Sequence, residues 1–334
     1  MVAAIGGGAY VAAAFHLITL GFFKALLFLA SGSVIHGMEH GAHEVHDHHT
    51  DPQDMRFMGG LRKKMPITFW TFLIGGLALS GFPLVTAGFW SKDEIFAEAW
   101  NHWTKDADIL ALTIFIMLAV AAFLTAFYTM RQISLTFLGK PRTPLAEHAH
   151  ESNAFMTVPL ILLAVFAISA GWFGISEGFP VLGGVLNYNY FHHIVGATVY
   201  ETLHELHELH LVDNAIETLP FAVTPIGTSI VVALGGLFLG WWIYGRKPLK
   251  EGQTDPLLRP LGPIYTFLNR KWYWDELYQT VFINPTVYLS EVVVAEYIDK
   301  GLIDGILHLV ARAVYRLGYY VKRFEETVIS DGVD

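Results

Sequence analysis

Cysteine is absent from the 334-residue chain. That excludes disulfides, thiol catalysis and cysteine-ligated clusters. Charge is scarce too. Asp, Glu, Lys and Arg make up 15% of the residues, against 53% hydrophobic, where a soluble domain carries about 25% charged. The N-terminal stretch MVAAIGGGAYVAAAFHL has no basic region and no cleavage motif, so it does not read as a signal peptide. No glycine-rich nucleotide fingerprint occurs, and residues 178–225 hold no Lys or Arg at all. The formal net charge of −9 sits in the loops and the C-terminal third and says little about partners.

What the chain has is long apolar runs. Mean hydropathy is +0.43, and the apolar residues cluster at 8–35, 65–101, 109–137, 154–177 and 226–244. A span needs about 20 residues, so the expected fold is all-α and polytopic, with about five transmembrane helices. The second run is interrupted by Ser80-Gly81-Phe82-Pro83. Pro83 cannot donate a backbone hydrogen bond and clashes with the preceding turn. Nine residues further on stands Lys92, followed by Asp93 and Glu94. A broken apolar helix bearing a lysine is a poor element in lipid, but it builds an ion or proton path where it faces a wet cavity.

The first run carries His16 and Lys24, about 12 Å apart along a helix and within about 80° of one face. Lys24 lies near the middle of the run, where a lysine faces a bundle interior or water more often than it snorkels. Residues 36–64 read as a loop rich in histidine (His36, His40, His43, His46, His48, His49) and ending in Arg62-Lys63-Lys64. In 178–225, His204, His207 and His210 recur at every third position on an amphipathic surface helix. Neither histidine group is expected to bind a metal. Trp241, Trp242 and Tyr244 close the fifth run as an interfacial belt.

With five crossings, the loops holding Arg62-Lys63-Lys64, Lys140 with Arg142, and Arg246, Lys247 and Lys250 fall on one face. The positive-inside rule makes that face cytoplasmic. From about 285 to about 328 apolar residues recur at spacings near three and four, threaded with charge. This predicts a long amphipathic helix along the membrane face, with two helices bent at Gly301 or Gly305 as the alternative. The expected organisation is a transmembrane repeat over 1–177, a non-cytoplasmic connection over 178–225, a span over 226–245, a cytoplasmic-side connection over 246–284 and a lateral helix over 285–330.

Three stretches carry a family resemblance: FHLITLGFFKALLFLASGSVIHG (15–37), PQDMRFMGGLRKKMPIT (52–68) and GFPLVTAGFWSKDEIF (81–96). The chain resembles the C-terminal half of the distal antiporter-like subunit of NADH:quinone oxidoreductase, respiratory complex I (subunit L in bacteria, subunit 5 in mitochondria). The resemblance implies a proton-translocating subunit whose path uses Lys24 as the central lysine, Lys92 as the broken-helix lysine near the exit, and His16 as the first histidine of the family's HLMTH. The second histidine is Leu20 here, which leaves more of the gap to water. Asp93 or Glu94 is expected to tune Lys92. The resemblance further implies that NADH, FMN, iron–sulfur clusters and quinone belong to partner subunits and that this chain carries no cofactor. It also implies contact with other complex I membrane subunits along the lateral helix, no nucleic acid, and residence in a bacterial plasma membrane or mitochondrial inner membrane. The abrupt ends are expected to be those of a fragment lacking an N-terminal repeat and a final span. The rival expectation is the large subunit of a multi-subunit Na+/H+ antiporter, which shares the broken-helix lysine; membrane-bound hydrogenase relatives come third.

Overall fold

The computed structural model describes residues 1–6, 9–47, 49–175, 179, 182, 191, 194–197 and 222–330. The His204, His207 and His210 group lies outside them. Among the described residues the structure is helical, with no strand. It falls into two compact units, Met1–Thr254 and Asp255–Asp334.

The first unit opens with a short helix, α1 (Val2–Gly6), and the long α2 (Tyr10–Val45). α2 runs past the expected end at 35, so His36, His40 and His43 sit on helix rather than in a loop. Nothing in that stretch breaks a helix: it has no proline, and its glycines serve packing. A Cβ on Gly41 would lie 2.2 Å from the carbonyl oxygen of Leu145, so the short helical segment at 144–148 packs directly on this helix. α2 stops at His46, whose left-handed backbone (φ 55°) lets its N–H bond the carbonyls of Ala42 and His43.

The interrupted span is two helices, α3 (Pro66–Ser80) and α4 (Ala87–Asp106). Gly81 adopts φ 74°. Its N–H donates to Ala78 O (3.1 Å) and that of Phe82 to Leu77 O (2.9 Å), a glycine-terminated helix end with proline two residues after the glycine. Gly88 has a different use. A Cβ there would lie 1.8 Å from the Ala78 carbonyl oxygen, so α4 crosses α3 backbone against backbone.

α5 (Ile109–Phe137), the short α6 (Pro144–His148), α7 (Ala154–Ser169), extended by a tighter turn at Ala170–Gly174, and α8 (Val223–Gly240), ending in a wide turn at Trp241–Gly245, complete the bundle. α2, α5, α7 with its extension and α8 with its final turn are each long and apolar enough to cross a membrane. α3 is a shorter apolar helix, as half of a divided span must be. The core between α2, α3 and α7 is apolar, centred on Phe23, Leu26, Phe69, Phe72 and Leu160. Small residues bring backbones together elsewhere: Cβ atoms on Gly236 and Gly240 of α8 would lie 2.4 and 2.8 Å from carbonyl oxygens of Phe123 and Phe127 on α5. Lipid offers no hydrophobic drive between helices, so close contact of this kind is what holds them.

The loops of one end are tied by Arg142, which is 5% exposed. Its Nε donates to Arg56 O (2.9 Å) and its Nη2 to Met55 O (2.6 Å) and to Leu135 O. Burial holds the guanidinium below its usual pKa, with the Asp54 charge opposing that shift. Arg142→Ala would strand these carbonyls at about 1–3 kcal/mol for each buried group left unpaired. A fall in melting temperature in detergent is expected, with little rescue by Arg142→Lys, since an ammonium cannot reproduce the fork.

Asp54, nearby, accepts from the Arg56 guanidinium (2.5–3.1 Å) and is held below the usual carboxylate pKa mainly by that bond. The stability it adds is full above its unfolded pKa and is lost as pH falls through the lower folded value. An Asp54→Asn variant should therefore lose less stability than the parent on acidification below pH about 4.

The second unit contains the helices Leu258–Leu261 and Pro263–Asn269 and then α9, formed of Trp274–Tyr278, Gln279–Ile283, Asn284–Tyr288, Leu289–Ile303 and Asp304–Ser330 in unbroken succession. Leu289–Ile303 is wound as a π-helix. The helix is continuous in chain order through Gly301 and Gly305, and its winding changes from π to α between them, at Ile303–Asp304. Lys300 pairs with Glu296 (2.5 Å) and Lys322 with Glu326 (3.8 Å), both one turn apart. By length and composition, the stretch Lys271–Glu326 also satisfies the criterion for a membrane span.

Candidate functional site

The break in the second span creates a problem that Lys92 solves. The last carbonyls of a helix lack partners within it. Gly81 and Phe82 take up those of Ala78 and Leu77, and the Lys92 ammonium donates to the carbonyl of Leu79. α4 thus returns a cation to the C-terminal end of α3, where the helix dipole favours it. Lys92, Ser80, Gly81, Phe89 and Ser229 line a small cavity of about 10 Å³, roughly the room one water needs.

One residue before Lys92, Ser91 is fully buried and joins α4 to α2. His16 Nδ1 lies 3.0 Å from Ser91 Oγ, and Thr19 Oγ1 donates to Ser91 Oγ at 2.9 Å. His16 is 8% exposed. One residue after Lys92, Asp93 joins α4 to α8, with Ser229 Oγ donating to Asp93 Oδ1 at 3.0 Å. Three consecutive residues thus reach three different partners. The charge of Lys24 acts on Lys92, and that of Lys92 on His16, so these three groups share one electrostatic neighbourhood. Lys24 itself is half-buried on α2.

Glu94, also half-buried, acts electrostatically on Asp93 and on Glu98 one turn on. Glu98 Oε1 is 3.3 Å from His102 Nε2. The line Glu94, Glu98, His102 therefore leads along α4 from the cavity towards its outer end. Leu20 is half-buried against the apolar core, so the position of the family's second histidine is apolar here.

The five residues singled out from the sequence, His16, Lys24, Lys92, Asp93 and Glu94, lie around this junction. Their partners Thr19, Ser91, Ser229 and the Leu79 carbonyl were not foreseen. The signal for two of them was present: Thr19 lies one turn from His16, and Ser91 is adjacent to Lys92 in an apolar span. Ser229→Ala would remove the donor that Asp93 Oδ1 has beside this cavity, a loss of up to about 1–3 kcal/mol. Lower thermal stability in detergent is expected, and Ser229→Thr should restore most of it.

A divided span with a lysine at the break, set in a bundle of apolar helices, defines an integral membrane protein of the antiporter-like class. Residues 1–125 match the family described as NADH:quinone oxidoreductase/Mrp antiporter, transmembrane. The chain is 36% identical over 349 residues to NAD(P)H-quinone oxidoreductase chain 5 of Picosynechococcus sp., covering 97% of this chain and 47% of that protein. It is 34% identical over 370 residues to NADH-quinone oxidoreductase subunit L of Rhodobacter capsulatus, covering 92% and 48%. It is 35% identical over 321 residues to NAD(P)H-quinone oxidoreductase subunit 5 of the Mesostigma viride chloroplast, covering 92% and 42%. The resemblance read in the sequence is thus shown: over more than nine-tenths of its length the chain is similar to subunit L and chain 5 proteins. It spans under half the length of these relatives.

Proposed function

We propose that this chain is part of a proton-translocating membrane subunit of NADH:quinone oxidoreductase. The observation that carries the proposal is the junction at Lys92, where a titratable amine sits in a cavity at the break of a divided helix. Protons pass from Lys24 towards Lys92, with His16, Ser91 and Thr19 lining the way and water filling the remainder, including the place left apolar by Leu20. Asp93, anchored by Ser229, and Glu94 tune the lysine. Glu98 and His102 continue the line outwards. Low dielectric makes each charge state of a lysine sensitive to its neighbours, so a change of charge or conformation elsewhere in the complex can load or empty it.

The energy comes from electron transfer in partner subunits, which hold NADH, FMN, iron–sulfur clusters and quinone. α9 is the contact along neighbouring membrane subunits, and the loops with Arg62, Lys140, Arg142 and Arg246 face the cytoplasm. The family description also covers Mrp antiporters, which favours a second reading as the large subunit of a secondary Na+/H+ antiporter. Vesicles with and without the full-length parent subunit separate the two. NADH-driven acidification that depends on the subunit supports the proposal. Dependence of Na+/H+ exchange alone, with NADH oxidation indifferent to it, would replace the proposal with the second reading.

A further inference from the structure

α3, α5 and α8 border a second hollow besides the cavity at Lys92. It is an open groove of about 440 Å³, walled by Leu77 and Phe82 at the break, Met130 on α5, and Leu234, Phe238 and Trp241 on α8. The bond from the Phe82 N–H to the Leu77 carbonyl closes α3 within this wall. Ser80 and Gly81, between those two residues, line the Lys92 cavity instead. The break is therefore a wall common to both hollows. No charged side chain lines the groove, and volumes of roughly 300–1,000 Å³ are those that seat small ligands. An apolar occupant suits it, since a polar one would give up water without gaining a partner.

The groove runs from the middle of the bundle to an aromatic and basic end. Leu234 to Trp241 covers about 10 Å of helix, within the roughly 15 Å of hydrocarbon that one leaflet supplies. Trp241 and Trp242 pack on Phe238, with ring centroids 6.2 and 5.8 Å away, and the Arg246 guanidinium lies 4.4 Å over the Trp242 ring. Arg131, next to Met130 on α5, lies 5.3 Å over the Tyr244 ring. Lys247 and Lys250 follow Arg246, both exposed. Acidic residues are missing from this end: 109–146 and 223–250 contain no Asp or Glu, and Glu251 comes only after Lys250.

We propose that this groove binds an anionic phospholipid, with one acyl chain against Phe82, Leu234 and Phe238 and the phosphate held by Arg246 beside Arg131. Charge complementarity names the class of lipid. Trp and Tyr mark the headgroup level, and a basic cluster at that level selects an anionic headgroup over a zwitterionic one. A guanidinium there makes charge-assisted bonds to phosphate oxygens. The seated chain covers the break from the bilayer side, so the end of α3 meets one bound chain rather than exchanging lipid. Binding of this kind does not depend on the proton-translocation reading.

The test uses the assembled oxidoreductase with the full-length parent subunit, and phosphatidylglycerol carrying a photoactivatable diazirine in one acyl chain. Cross-linked residues are mapped by mass spectrometry in the presence of unlabelled phosphatidylglycerol, phosphatidylcholine or inorganic phosphate. Labelling is expected at Phe82 and across 234–241, displaced by phosphatidylglycerol but by neither of the others. Arg246→Gln should weaken binding by about tenfold, Arg246→Lys should retain most of it, and Leu234→Trp, which fills the groove, should abolish it at unchanged yield of assembled complex. Equal displacement by phosphatidylcholine would mean ordinary boundary lipid and overturn the anionic site. Displacement by inorganic phosphate would overturn the role given to the acyl chain, and labelling indifferent to Arg246→Gln would overturn the headgroup assignment. A groove left unlabelled while the rest of the bundle is labelled would overturn the lipid in favour of a neighbouring subunit's helix.

Discussion

Lys92→Ala is expected to stop proton movement through this subunit while NADH oxidation by the assembled complex continues. Two effects combine in that variant. The titratable amine is lost, and the Leu79 carbonyl at the end of α3 loses its donor. Lys92→Arg separates them. A guanidinium can still donate to that carbonyl but does not give up its proton at physiological pH. Lys92→Arg should therefore assemble and melt nearly as the parent does, yet conduct no better than the alanine variant. A positioned proton-transfer group is worth about 10²–10⁴-fold, so the flux through this path should fall by about a hundredfold or more in both. The protons carried per NADH in sealed vesicles report it. A Lys92→Arg complex pumping at the parent ratio would show that the hydrogen bond, not proton exchange, is what the lysine supplies.

The second large effect is structural. Gly88→Val places a side chain where a single Cβ would already lie 1.8 Å from the Ala78 carbonyl oxygen. The obstacle is backbone, so no rotamer change relieves it. Overpacking a core costs typically about 1–3 kcal/mol and occasionally more. This site should reach or exceed the top of that range, because the two halves of the divided span must part. The expected result is a sharp drop in assembled protein and, in what survives, a displaced Lys92. Gly32→Ala on α2 is the matched control, since nothing lies within 4 Å of its added Cβ. It should be neutral or gain up to about 1 kcal/mol from the better helix propensity of alanine. Equal melting temperatures for the Gly88 and Gly32 variants would disprove the close crossing.

Much of this arrangement was legible before any coordinates. Runs of apolar residues gave the spans, because the bilayer fixes their length. Ser80-Gly81-Phe82-Pro83 gave the break, because a proline after a left-handed glycine ends a helix wherever it occurs. The continuation of α2 to Val45 was not legible: its last turns carry the histidines and glutamates of a solvated loop, and helix there is favoured by the contact of Gly41 with Leu145. Side-chain partners were the least legible. Ser229 is 136 residues from Asp93 and Glu151 is 83 from Thr68, and nothing local marks such pairs. Gly88 shows a subtler gap: nothing around it in the sequence marks the close crossing with Ala78 that the fold builds there.

The glycine crossings at α3–α4 and α5–α8 have a thermal consequence. A soluble domain that unfolds exposes apolar surface to water, and the resulting heat-capacity increase bends its stability into a dome over temperature. Helices parted within lipid expose backbone and methyl groups to hydrocarbon instead. Separation of this bundle inside a bilayer should therefore carry almost no heat-capacity change, and its stability should fall nearly linearly on warming, with no cold-denatured branch. What sets its working temperature is how closely the glycine backbones fit.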